Sequence, residues 1–161
     1  EGSKVPRFKG IDQFGDEFDL YDLANQGKPI LLEIGSGTAK ACKDFSAWRS
    51  YMSDDAKQQK WWKRKFEGIR DLIDNQDVYW VHIIHLDENK NPATSETVRS
   101  WYESYPHDKI ILLADPEAKM KTWIRPTGLP CMVLIDDNMI LQQHALRGIE
   151  DAIDAAYKVI D

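Results

Sequence analysis

The run Ile30-Leu31-Leu32-Glu33-Ile34, followed at once by Gly35-Ser36-Gly37-Thr38-Ala39-Lys40-Ala41-Cys42, constrains this chain more than any other stretch. A short apolar run of this kind reads as a buried strand. Two glycines in three positions end it. A helix is expected from Ala39, with Phe45, Trp48 and Met52 on one stripe at spacings of three and four. Strand, tight loop and helix N-terminus thus converge on Cys42. The helix dipole and free N–H groups there favour a thiolate, and burial would oppose it. Glu33 is costly to bury unless it is protonated or paired, and the plain alternative is an edge-strand or salt-bridged Glu with Lys28 or Lys40 as a candidate partner.

The remaining pattern places this unit in a larger sheet. Ile11–Leu20 reads as a hairpin turning near Phe14-Gly15-Asp16, and Tyr21–Asn25 as one helical turn. A second helical stretch is expected from Asp54-Asp55 to about Asp74, with Trp62, Phe66, Ile69 and Ile73 on one face. Its segment from Lys57 to Phe66 is basic and aromatic. That suits a partner, anion or membrane-surface contact, or a solvated face with its aromatics in the core. Val78–Leu86 reads as a strand, Pro92 as the first turn of a helix ending before Pro106, and Ile110–Leu113 as another strand. Asp115-Pro116 opens a helix to about Trp123. Cys131–Ile135 and Met139–Leu146 form a hairpin, and Glu150–Ile160 a last helix. Alternating strands and helices imply a mixed sheet with helices on both faces.

The chain of 161 residues suits one domain, spanning 1–161. Its formal charge of −6 argues against nucleic acid as the main partner. No apolar run approaches the ~20 residues needed to span a bilayer. Two cysteines, Cys42 and Cys131, allow one bridge or two thiols. His82 and His85 are separated by an odd number of positions, so a regular strand points them to opposite faces and they cannot ligate one metal together. Gly35-Ser36-Gly37-Thr38 with Lys40 could form an anion nest, but it lacks P-loop spacing and reads better as a tight turn. No metal or cofactor is expected.

The order of these elements, with several local motifs, resembles the redoxin and TlpA-like branch of the thioredoxin superfamily over nearly the whole chain, from about Val5 to Ile160. The hairpin Asp12-Gln13-Phe14-Gly15-Asp16 with Phe18-Asp19-Leu20 is similar to that branch's N-terminal extension. Lys28-Pro29-Ile30-Leu31-Leu32 is similar to the approach to its central strand, and Leu86-Asp87-Glu88 to the end of the next. Gly128-Leu129-Pro130 resembles its cis-proline loop, and Leu134-Ile135-Asp136 the start of its terminal hairpin. The resemblance implies a thioredoxin-like fold with a helical insertion around residues 55–75.

It also implies site roles. The family's Cys-x-x-Cys corresponds here to Ala39-Lys40-Ala41-Cys42. Ala39 therefore stands where the nucleophilic cysteine would be, Thr38 where a Trp is usual, and Cys42 where the resolving thiol belongs. Glu33 matches the buried acid that relays a proton to that thiol. Thr38, Lys40, Leu129 and Pro130 would meet an extended substrate. Cys131 could lie near Cys42 as a redox partner, or be a small buried strand residue. The parent activity would be thiol–disulfide exchange with a protein thiol or disulfide partner. The chain as written is expected to lack dithiol turnover, through natural loss or a Cys→Ala replacement at position 39. The retained Glu33, Cys42 and Gly128-Leu129-Pro130 lean toward replacement. The alternatives are a non-catalytic binding or scaffold module, and a degenerate peroxiredoxin-like protein using Cys42. For the second, Thr38 is one position off the expected threonine. The missing initiator Met and the resemblance point to an extracytoplasmic bacterial setting, with the cytoplasm left open.

Overall fold

The computed structural model describes residues 1–145 and 147–160. Among the described residues, seven strands form one mixed sheet: β1 (Lys9–Asp12), β2 (Glu17–Asp19), β3 (Ile30–Gly35), β4 (Tyr79–Ile84), β5 (Ile110–Ala114), β6 (Cys131–Ile135) and β7 (Leu141–Gln143). They lie in the order β2-β1-β5-β4-β3-β6-β7. The centre, β5-β4-β3, is parallel, and antiparallel partners extend it on both sides. The helices are α1 (Lys40–Arg49), α2 (Ile69–Asp74), α3 (Ser95–Ser104), α4 (Lys119–Ile124) and α5 (Glu150–Ile160).

Every residue of β3 is buried, which is why its sequence lacks polar alternation. Leu31 faces a core built from Phe45 and Trp48 of α1, Ile69 and Ile73 of α2, Trp101 of α3 and Ile153 of α5. Leu32 and Ile34 face the other way, against Val5, Phe8, Leu20, Met120 and Ile124. The N-terminal hairpin, the central strands, β6 and the last helix all form where the sequence pattern places them.

Four local expectations are corrected. Residues 54–74 are not one helix but 3-10 turns at Asp55–Gln58 and Arg64–Gly68, followed by the short α2. Trp61 packs edge-on against Phe45, while Trp62 packs against Trp48 and Phe66. Adjacent side chains on a regular helix diverge by about 100°, so packing both half-buried indoles against one core does not suit a regular helix between them. Lys57, Lys63 and Lys65 of this segment pair with Glu67, Glu150 and Asp154, which ties the basic face to the protein itself. Met52 lies beyond α1 and is exposed. Pro92 precedes α3 and bridges to Leu86, because Thr94 caps the helix through a reciprocal arrangement with Thr97. β7 covers only Leu141–Gln143, and Leu146, the expected end of that strand, lies outside the described residues.

Candidate functional site

The loop from β3 to α1 is held by backbone contacts that exclude larger side chains. Gly37 N–H donates to Leu86 O at 2.9 Å. A Cβ on Gly37 would come within 2.6 Å of Glu88 N, so the loop following β4 packs directly on this backbone. Ser36 Oγ accepts the Thr38 N–H at 3.2 Å and closes the turn. Thr38 and Lys40 are exposed, with Lys40 paired to Asp44 at 2.6 Å. Ala39 is the half-buried N-cap of α1 and supplies no capping side chain.

Cys42 is the third helical residue and points inward, completely buried. Burial pushes its thiol up to about 12, helped by the negative charge of Glu33. The Ser36 backbone and Arg49 draw it back only in part. Desolvation therefore outweighs the helix N-terminus, and of the two opposed effects named for Cys42 burial decides in favour of the thiol.

Beneath Cys42 lies a buried polar network. Glu33 Oε1 accepts a hydrogen bond from Trp80 Nε1 at 3.0 Å. Arg49 Nε stands 3.7 Å from the same oxygen, and His82 Nε2 stands 3.3 Å from Oε2. Arg49 Nη2 donates to His82 Nδ1 at 2.8 Å. Burial pushes the Glu33 carboxyl up, and Arg49 and Trp80 pull it only part of the way back. Burial and the Arg49 charge hold His82 well below the ordinary histidine value. The expected partners Lys28 and Lys40 are elsewhere: Lys28 lies over the Tyr79 ring and Lys40 binds Asp44. Both project from the ends of the strand and loop, whereas Glu33 sits mid-strand under α1 and draws its polar contacts from that helix and β4. A Cβ on Gly35 would overlap His82 Nε2 and lie 3.4 Å from Cys42 Sγ, so glycine leaves the space in which ring and thiol approach each other.

The Leu129–Pro130 peptide is cis, and Pro130 O accepts the Gly148 N–H at 3.1 Å. Because Ile34 pairs with Cys131, the register brings Pro130 alongside the end of β3, next to the loop carrying Thr38 and Ala39. Cys131 is not brought to Cys42. Strand alternation turns Met132 toward the Glu33 face and Cys131 away from it. Cys131 belongs to the core on the other side of the sheet, where its thiol donates to Ala145 O at 2.8 Å. Both cysteines are unpaired.

Sequence reasoning left Arg49, Trp80 and His82 out of the site. The signal for Arg49 was present, since it follows Cys42 by seven positions and Phe45 by four and so shares their stripe. His82 pairs directly with Glu33 across two parallel strands, a register that the sequence does not specify. Beyond Gly37, a polar cleft of about 400 Å³ opens between Lys43, Glu88, Thr97, Trp101 and Tyr105.

No protein-family model matches the chain, and no curated protein matches it. Solved structures do. The exposed lipoprotein thioredoxin of Streptococcus pneumoniae aligns with a TM-score of 0.62 at 14% identity, over 95% of this chain and 99% of that one. The thioredoxin domain of a thiol-disulfide oxidoreductase from Bacteroides vulgatus aligns at 0.63 and 17% identity, over 99% and 97%. The peroxidoxin BcpB of Mycobacterium tuberculosis aligns at 0.59 and 18%, over 99% and 92%. The chain therefore has a thioredoxin-like fold, and its structural neighbours include thiol-disulfide oxidoreductases.

Proposed function

We propose that this chain is a thioredoxin-like protein of the thiol–disulfide oxidoreductase kind that binds a protein redox partner without turning over its disulfides. One observation carries the reading. The site's thiol, on Cys42, is sealed beneath the loop, while Ala39 occupies the more accessible position at the helix N-terminus. Exchange needs an accessible thiolate to attack a disulfide and a second thiol to resolve the mixed disulfide. Residue 39 has no sulfur, Cys42 is a buried thiol, and Cys131 is across the sheet. What remains is a surface of Thr38, Ala39, Lys40 and Leu129, with Pro130 buried behind it, at which an extended polypeptide can lie.

A peroxiredoxin-like use of Cys42 would need an accessible thiolate, which burial opposes. An extracytoplasmic setting belongs to the proposal, in keeping with the exposed lipoprotein among the structural neighbours. Glu33 has a structural reason to persist as the counter-ion of Arg49, so its presence no longer favours a recent replacement at position 39. Insulin reduction by dithiothreitol tests the reading. The chain should not accelerate it, and Ala39→Cys should, because Cys42 already lies in the resolving position. No gain from Ala39→Cys, or turnover by the unaltered chain, would sink it.

A further inference from the structure

We propose that Arg49 is a positioning residue that locks Glu33 as an ionised counter-ion and His82 as its Nε2–H tautomer, which withdraws the acid from proton exchange with Cys42. This deepens the reading above and rests on it for its link to Cys42. The inference begins from hydrogen-bond chemistry. A guanidinium has only donors, so the 2.8 Å contact from Arg49 Nη2 makes His82 Nδ1 an acceptor. The neutral ring must then carry its proton on Nε2, the nitrogen 3.3 Å from Glu33 Oε2. Glu33 Oε1 thus accepts an indole N–H and has a guanidinium beside it, while the protonated His82 Nε2 stands 3.3 Å from Oε2 without completing a hydrogen bond to it. Every polar neighbour it has in this network is a donor.

Among the described residues, the other groups around the network leave Arg49 no different counter-ion. α1 supplies Cys42 and Arg49, β3 supplies Glu33, and β4 supplies Trp80 and His82. Trp101 of α3 sits edge-on to His82, with its indole N–H given to Ser46, and Met132 of β6 pairs with Glu33. Arg49 and Glu33 are both completely buried. A proton taken up by Glu33 would therefore strand the guanidinium charge in the interior. A relay must gain and release a proton as its thiol cycles, and this carboxylate is held against doing so. Arg49 Nε and Nη1 make no hydrogen bond, so the guanidinium depends on this one anion.

The test has a spectroscopic arm on the unaltered chain and a redox arm. Infrared difference spectra against Glu33→Gln should show a carboxylate band and no protonated carboxyl band near neutral pH. Nitrogen-15 spectra should show His82 protonated on Nε2 alone. A protonated Glu33, or an Nδ1–H tautomer, overturns the proposal whatever the redox assays give. In the redox arm, Ala39→Cys/Arg49→Met should reduce insulin roughly 10-fold faster than Ala39→Cys, as Glu33 regains its proton chemistry. Ala39→Cys/Arg49→Lys, which keeps the charge, should stay as slow as Ala39→Cys. Equal rates for the Met and Lys variants overturn the lock. Inactivity of every Ala39→Cys variant, with the native spectra as expected, overturns the exchange reading and the link to Cys42 while leaving the ion pair itself in place.

Discussion

Replacing Glu33 by Gln removes one charge from the interior while keeping the side chain's size and its acceptor for Trp80 Nε1. Arg49 Nε lies 3.7 Å from Glu33 Oε1, so the lost attraction is ~4.5 kcal/mol at an effective dielectric of about 20. That agrees with the roughly 3–5 kcal/mol typical of breaking a buried pair from one side. Arg49→Met should cost a similar amount, because it leaves Glu33 buried without its counter-ion and His82 Nδ1 without its donor. The two losses share a cause, so the double variant Glu33→Gln/Arg49→Met should fall short of their sum by about 3 kcal/mol. Urea unfolding of the four proteins, followed by tryptophan fluorescence with m held common, measures the cycle. Single losses below about 1 kcal/mol, or additivity within about 0.5 kcal/mol, would refute the buried, oppositely charged pair.

Two further outcomes follow from the same region. His82 is held neutral far below its ordinary value of 6.5, so the unfolded chain takes up a proton that the folded one refuses. Stability is therefore full above about pH 6.5 and is lost as pH falls below it, by about 1.4 kcal/mol per pH unit for each such proton. His85, also lowered by burial, adds to that slope. Unfolding measured from pH 7 to pH 5 should show it, and His82→Gln should flatten it; an equally steep slope in that variant would assign it elsewhere. Gly35→Ala should lower stability by about 2–3 kcal/mol, because the new methyl group collides with a ring that is fixed on its other side by Arg49. That corresponds to a fall of roughly 5–10 °C in Tm, and an unchanged Tm would mean that the ring and the loop move apart freely.

The sequence by itself determined the parts that depend on local pattern. Ile30–Ile34 was readable as a central strand because a strand covered on both faces has no reason to alternate. Glu150–Ile160 was readable because its apolar positions recur at helical spacing. Cys42, Glu33 and Pro130 could be singled out as unusual residue types at marked positions. The tertiary structure decided what those residues meet. Cys131 follows Pro130 directly, yet strand alternation sends its thiol through to the other face of the sheet. Lys28 and Lys40 are nearer to Glu33 in sequence than Arg49, yet they meet Tyr79 and Asp44 instead, while helix geometry carries Arg49 inward two turns after Cys42. His82 reaches Glu33 only through the parallel register of β3 and β4, which backbone pairing sets and no local pattern encodes. Even the state of Cys42 was undecided in the sequence, since its position favours a thiolate and its burial a thiol. Only packing fixes the depth of the side chain, and here desolvation is the larger effect.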